Sequence, residues 1–224
     1  MIILTGIYRA RSDARQAELH EAMRRNLANP FIEQVVAVNE GARRMWLAQP
    51  WANDPKLRVL DLMGRTRKSY AAMLNIANAL GADKQVCLIN ADCFLDETIE
   101  PVLRLPLRRT FIALSRRKTG PDGTMYGLER TAAYSQDAWI FRTPVRVPMN
   151  ATFTLGTPAC DNCIVWLMHE LGYEILNPAL DVRLGHLHAS EERNYPPQVQ
   201  GVLRAGADPS ECPRLPKLLE EVAA

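Results

Sequence analysis

The chain has 224 residues, of which 47% are hydrophobic and 23% charged, with a formal net charge of +2. That length buries one sizeable core, and the composition is that of a soluble globular protein. The near-neutral balance, without a periodic basic and aromatic pattern, argues against nucleic acid as a partner. No apolar run is long enough to span a bilayer, and Met1-Ile2-Ile3-Leu4-Thr5-Gly6 lacks the basic lead and long apolar stretch of a signal peptide.

In chain order, the first strand is expected over Ile2–Ile7. A helix then starts at Ser12-Asp13, carries Leu19, Met23 and Leu27 at four-residue spacing, and stops at Asn29-Pro30. Residues 34–38 read as a second strand ending in Asn39-Glu40-Gly41. Residues 58–62 read as a third, after a segment rich in Trp, Pro and Asn. A helix over 66–80 places Tyr70, Leu74 and Ala77 on one stripe, with Gly81 as its stop. Val86, Cys87, Leu88 and Ile89 form an apolar run short enough for a strand buried on both faces, and it ends abruptly at Asn90-Ala91-Asp92. Strands alternating with helices at this spacing predict βαβ units and a mostly parallel sheet.

Residues 111–115 are a fifth strand. The charged, turn-rich stretch 116–123 predicts an exposed, mobile loop, either a solvated connection or a lid that carries cations towards an anionic ligand. Asp137 lies directly before the strand-like run Ala138-Trp139-Ile140-Phe141. Cys160-Asp161-Asn162 opens an apolar helix that stops at Gly172, so Asp161 sits near a helix N-terminus, where the dipole favours its ionised form. Short strands over 174–176 and 181–187 follow. They bring His186 and His188, whose spacing of two puts both imidazoles on one side. Residues 1–190 thus read as the main domain, and 191–224 as a wrapping tail with a short helix over 215–222.

Polar groups at the carboxyl end of a buried strand sit where α/β sheets bind ligands. A carboxylate there is costly to bury unless it is paired or bound to a cation. Asp92 at a central strand's end, Asp161 at a later helix start and the His186/His188 pair supply what sugar transfer from a nucleotide carrier requires. A hard divalent cation takes carboxylate oxygens and, for manganese, tolerates histidine. A separate carboxylate can then take the proton from an attacking hydroxyl. The plainer alternatives are that Asn90, Asp92 and Asp161 only cap helices, that the histidines lie in packing or on the surface, and that Trp139 and Trp166 are core. Cys160, Cys163, His186 and His188 could also make a zinc site. The five cysteines are an odd, scattered set, which predicts reduced thiols and a cytoplasmic protein.

These residues resemble the glycosyltransferases of the GT-A fold over roughly residues 1–190. Thr5-Gly6-Ile7-Tyr8 is similar to the first nucleotide-binding loop, and Asn90-Ala91-Asp92 stands where the family carries an Asp-x-Asp metal motif. Cys160-Asp161-Asn162, Gly172 and His186/His188 resemble the Glu-Asp…Gly…His run of inverting members. Arg65…Tyr70 and Ser135-Gln136-Asp137-Ala138-Trp139 complete a likeness to compact GT-A domains of bacteria and large viruses. The resemblance implies a Rossmann-like, mostly parallel sheet flanked by helices, with a small antiparallel C-terminal addition. It implies Mn²⁺ or Mg²⁺ at Asp92, with Asn90 on the ribose or a metal-bound water and His186 or His188 on the metal or a phosphate. Thr5, Gly6, Tyr8, Arg65 and Ala91 would hold the nucleotide. Asp161 would be the catalytic base, with Asp137 binding sugar hydroxyls or the acceptor. One departure stands: Asn90 removes a negative charge from the metal motif.

The implied activity is transfer of a sugar from a UDP- or GDP-sugar donor to a hydroxyl of a glycan or lipid-linked acceptor, by inversion. Two other classes compete. A sugar-phosphate nucleotidyltransferase would share the sheet, but such enzymes carry a Gly-rich loop after the first strand, where this chain has one glycine. A non-catalytic nucleotide-sugar-binding accessory domain is the other, with Asn90 as its support. Membrane association, if any, would be peripheral, through arginines 104, 108, 109, 116 and 117.

Overall fold

The computed structural model describes residues 1–62, 66–120, 122–128, 130–190 and 206–223. Strands β1 (Ile2–Ile7), β2 (Gln34–Asn39), β3 (Leu57–Leu60), β4 (Gln85–Ile89), β6 (Thr110–Ser115), β9 (Gln136–Arg142) and β10 (Glu174–Leu176) form a seven-stranded sheet in the order β10-β6-β9-β4-β1-β2-β3. Neighbouring strands run parallel except at β9, which is antiparallel to both β4 and β6. A smaller sheet, β5-β11-β7-β8, joins β5 (Cys93–Leu95), β7 (Arg117–Thr119), β8 (Met125–Leu128) and β11 (Leu184–His186). Three of its strands come from the middle of the chain.

Side-chain alternation along β1 explains why the large sheet is covered on both sides. Ile3 and Ile7 pack with Leu19 and Met23 of helix α1 (Asp13–Ala28). Ile2 and Leu4 pack with Tyr70 and Leu74 of helix α3 (Tyr70–Ala79) and with Ile164 and Met168 of helix α4 (Cys160–Glu170). Each such side chain, once fully buried, contributes on the order of 1.5–3 kcal/mol. Ser12 caps α1, its side chain accepting from Arg15 N at 3.2 Å. A short helix, α2 (Arg43–Trp46), follows β2.

Several expectations change. The helix expected over 66–80 begins at Tyr70, because Ser69 Oγ accepts from Ala72 N (3.2 Å) and the first helical amides are engaged elsewhere. Tyr70 N donates to Phe153 O, and Ala71 N to Ala151 O, each at 2.9 Å. Thr66-Arg67-Lys68 therefore runs outside the helix. The stretch read as a mobile loop is largely a hairpin, β7 pairing antiparallel with β8. Arg117, assigned to a surface basic set, donates to Ala179 O at 2.7 Å instead.

Of the tail, residues 191–205 lie outside the described residues. Further on, Ala207 is buried against the α3/α4 side, and helix α5 (Leu215–Ala223) buries Leu215 on the α1 side. Among the described residues no helix is long and apolar enough to cross a membrane.

Candidate active site

The site lies at the carboxyl ends of β1, β4 and the neighbouring strands, where a cleft of about 330 Å³ opens. That volume is in the range of small-molecule sites. β4 ends at Ile89, and the chain turns through Asn90-Ala91-Asp92 into β5, with Cys93 N donating to Asn90 O at 3.0 Å. Antiparallel pairing of β11 with β5 sets His186 opposite Cys93, and Leu187 N donates to Asp92 O at 2.9 Å. Register alone thus carries both histidines to Asp92. The two imidazoles stack with centroids 5.2 Å apart and planes 11° from parallel.

Asp92 is 9% exposed and is crowded by basic side chains. His186 Nε2 lies 3.2 Å and His188 Nδ1 4.0 Å from its Oδ2, and Arg15 Nη2 donates to that same oxygen. Burial works to raise the Asp92 pKa, but His186 and Arg15 outweigh it and hold the carboxyl well below the usual range. For His186, burial is likewise outweighed by the Asp92 charge, and its pKa is raised. For His188, burial and then the Arg15 charge lower it.

Asp137 enters from β9 through an irregularity in the ladder. Leu114 pairs with Ala138 while Ser115 pairs with Gln136, leaving Asp137 as the extra residue. A bulge of this kind re-aims a side chain. Here it sends the carboxylate into the cleft, where Asn90 Nδ2 donates to Oδ1 (2.7 Å) and Arg116 Nη1 to Oδ2 (2.8 Å). Asp161 faces the same cleft from the first turn of α4. Ala159, at φ +62°, makes the turn that starts this helix. The expected dipole effect loses here: burial and the charge of Asp137 push the Asp161 carboxyl up to about 6, against the Asn162 amide and Arg116.

At the other end, Gly6, Tyr8, Glu40 and Arg67 line the cleft. A Cβ on Gly6 would lie 2.8 Å from Glu40 Oε1, so glycine lets the two strand ends approach. Arg67 stands over the Tyr8 ring at 5.4 Å and donates to Leu155 O at 3.1 Å. Burial raises the pKa of Glu40, opposed by Arg67 and Lys68.

The cleft thus brings together Gly6, Tyr8, Asn90, Ala91, Asp92, Asp137, Asp161, His186 and His188. Thr5 is not among its lining residues: strand alternation turns it away from Gly6, and its buried Oγ1 has no hydrogen-bond partner among the described residues. Arg65 lies outside the described residues. Arg15 and Arg67 carry no sequence signal that marks them, since a charged residue in a helix's first turn or a connecting segment is ordinarily solvated.

The residues fit a divalent cation. Ligand atoms of Asp92, His186 and His188 lie within 4.8 Å of one another, and His188 Nδ1 is buried without a hydrogen-bond partner among the described residues. One carboxylate and two imidazoles suit manganese better than magnesium, which prefers oxygen. The zinc alternative falls away: Cys160 and Cys163 belong to neither of the two groupings of described residues that could hold an ion, Asp92 with His186 and His188, and Cys93 with Asp137 and His186. Cys160 instead accepts from Tyr70 Oη at 3.5 Å, and burial pushes its thiol up to about 12.

No family model matches the sequence, and no curated protein matches it significantly. Among solved structures, the mannosyltransferase PcManGT from Pyrobaculum calidifontis, in complex with GDP-Man and Mn²⁺, is similar over 86% of this chain at a TM-score of 0.54 and 15% identity. GalNAc-T7, with UDP, GalNAc and Mn²⁺, is similar over 83% at a TM-score of 0.54 and 9% identity. Residues 1–349 of S. aureus TarS, in complex with UDP-GlcNAc, align over 63% at a TM-score of 0.44 and 12% identity. The chain spans 58%, 42% and 45% of those three chains, respectively. The fold is therefore the GT-A fold of nucleotide-diphospho-sugar transferases.

Proposed function

We propose that the protein is a glycosyltransferase that moves a sugar from a UDP- or GDP-sugar to a hydroxyl of a glycan or lipid-linked acceptor, with inversion. The observation that carries this reading is that Asp92 and Asp161 face one cleft at the strand ends, the first beside two imidazoles and the second with its carboxyl pushed up to about 6. A carboxylate with that pKa is mostly ionised at neutral pH yet basic enough to take a hydroxyl proton. The neighbours' printed ligands, GDP-Man with Mn²⁺ and UDP with Mn²⁺, support a nucleotide-sugar donor and a divalent cation.

Asp161 accepts the acceptor's proton as the new bond forms. Asp137 holds Asn90 and Arg116 at the cleft floor and, by its charge, keeps Asp161 basic. Tyr8 and Arg67 form a flat cationic wall at the end of β1, suited to a nucleotide. Asp92, His186 and His188 would hold Mn²⁺ or Mg²⁺, which neutralises charge on a leaving diphosphate. Residues 1–190 are read as the catalytic domain and 191–224 as its C-terminal tail. Five free thiols support a reducing, cytoplasmic setting.

Isothermal titration with UDP- and GDP-sugars, with and without Mn²⁺, tests the reading. Binding of one nucleotide class with micromolar affinity is expected. No binding of either by folded protein overturns it. Pyrophosphate release from NTP and sugar phosphate would indicate a nucleotidyltransferase instead.

A further inference from the structure

Arg15 is 4% exposed and shares its guanidinium among three acceptors. Nη2 donates to Asp92 Oδ2, and Nη1 donates at 2.7 Å both to Glu18 Oε2 and to Leu187 O. Glu18 is itself fixed, accepting from Ser190 N at 2.7 Å and from Ser190 Oγ at 2.9 Å. The guanidinium is therefore anchored through Nη1 to groups outside the ligand set, and touches that set only through Nη2. The oxygen that Nη2 occupies is the one nearest both imidazoles.

A divalent ion ligated by Asp92, His186 and His188 would share a buried carboxylate with this guanidinium. Two cations on one oxygen a few ångströms apart repel strongly where water does not screen them. Asn90 is neutral, so this turn supplies no second negative charge to offset the excess; its amide donates to Asp137 instead.

We propose that Arg15 is the resident counter-cation of Asp92 and that a divalent metal loads only by displacing Nη2. Nη1 stays bound to Glu18 and Leu187, so the displaced Nη2 stays at the edge of the cleft. Metal affinity is then set by Arg15 as much as by the ligands. This inference rests on the metal site of the proposed function.

Mn²⁺ binding in the absence of any nucleotide, followed by electron paramagnetic resonance, tests it. Arg15→Met keeps an unbranched apolar stem and removes the guanidinium with its charge, and should bind Mn²⁺ at least tenfold more tightly than the wild type. Equal or weaker binding by folded Arg15→Met overturns the proposal. A crystal of the wild-type protein in saturating Mn²⁺ gives an independent reading should the variant not fold. There the ion is expected on Asp92 with Nη2 withdrawn. An ion on Asp92 with Nη2 still in place, or no ion in either the crystal or the variant, overturns it. Failure here leaves nucleotide-sugar binding untouched. Intact Mn²⁺ exchange without nucleotide binding would overturn the functional reading alone.

Discussion

Asn90 Nδ2 donates to Asp137 Oδ1 at 2.7 Å, tying the end of β4 to the bulge in β9. The bond explains the departure from an acidic pair at this turn. An aspartate at position 90 would set a second carboxylate against a buried one, whereas the amide supplies a donor. Asn90→Asp is therefore expected to destabilise the fold by roughly 1–3 kcal/mol at pH 7, the cost of replacing a hydrogen bond with an unpaired like charge. The new carboxyl would have a folded pKa above its unfolded value, so the penalty grows as pH rises through that interval and fades in acid, where the group is neutral in both states. Denaturant unfolding of wild type and variant at pH 4 and pH 7 measures the difference. An unchanged or more stable variant at pH 7 would show that the amide bond is not what fixes this turn.

Asp137 and Arg116 act in opposite senses on Asp161: the carboxylate raises its pKa and the guanidinium lowers it. Asp137→Asn should move the acid limb of the kcat/KM–pH profile below the wild-type position near 6, and Arg116→Gln should move it above. The two shifts are read from the same assay on the two variants. Movement in one common direction would mean that they report altered packing, not the field at Asp161.

How far the sequence reveals this site differs from residue to residue. The strand–helix order, the abrupt polar stop after Ile89 and the helix opened by Cys160-Asp161 are legible because apolar periodicity and caps are local properties. The antiparallel direction of β9 is not, since a strand buried on both faces has the same pattern either way. The hairpin of β7 and β8 hides behind charged and turn-forming residues that sequence alone assigns to a loop. Its strands hold because β7 also pairs with β11, whose partner residues lie 68 positions further along the chain. Arg15 shows no signal at all. Its burial depends on where Asp92 and Leu187 lie in space.

Gly6 illustrates a position where room, not backbone conformation, demands glycine. Gly6→Ala places a methyl against the flexible end of Glu40, so the fold should lose no more than about 1 kcal/mol while the side chain swings aside. Nucleotide binding should suffer more, because the displaced carboxylate enters the cleft. Thermal unfolding and titration with the nucleotide separate the effects. The double variant Gly6→Ala/Glu40→Ala should recover binding lost to the clash. No recovery would place the defect in the β1 backbone.

Asp161 is the residue whose replacement should divide stability from turnover. Asp161→Asn retains Oδ1, which accepts from the Asn162 amide at 3.0 Å, and so keeps the start of α4. Turnover should fall by roughly 10²-fold or more, the ordinary worth of a general base, with donor affinity unchanged. Stability should move the other way. Burial and the charge of Asp137 push the folded carboxyl up to about 6, above the ordinary aspartate value of about 4, so the native state binds the proton more tightly than the unfolded chain. Its contribution to stability is therefore lost as pH rises from about 4 to about 6. The neutral amide escapes that loss, and the variant should melt above the wild type at pH 7, with the gap closing below pH 4. A variant less stable at pH 7 would mean that the carboxylate is held by partners that favour its charge, and Asp161 would then be a poor base.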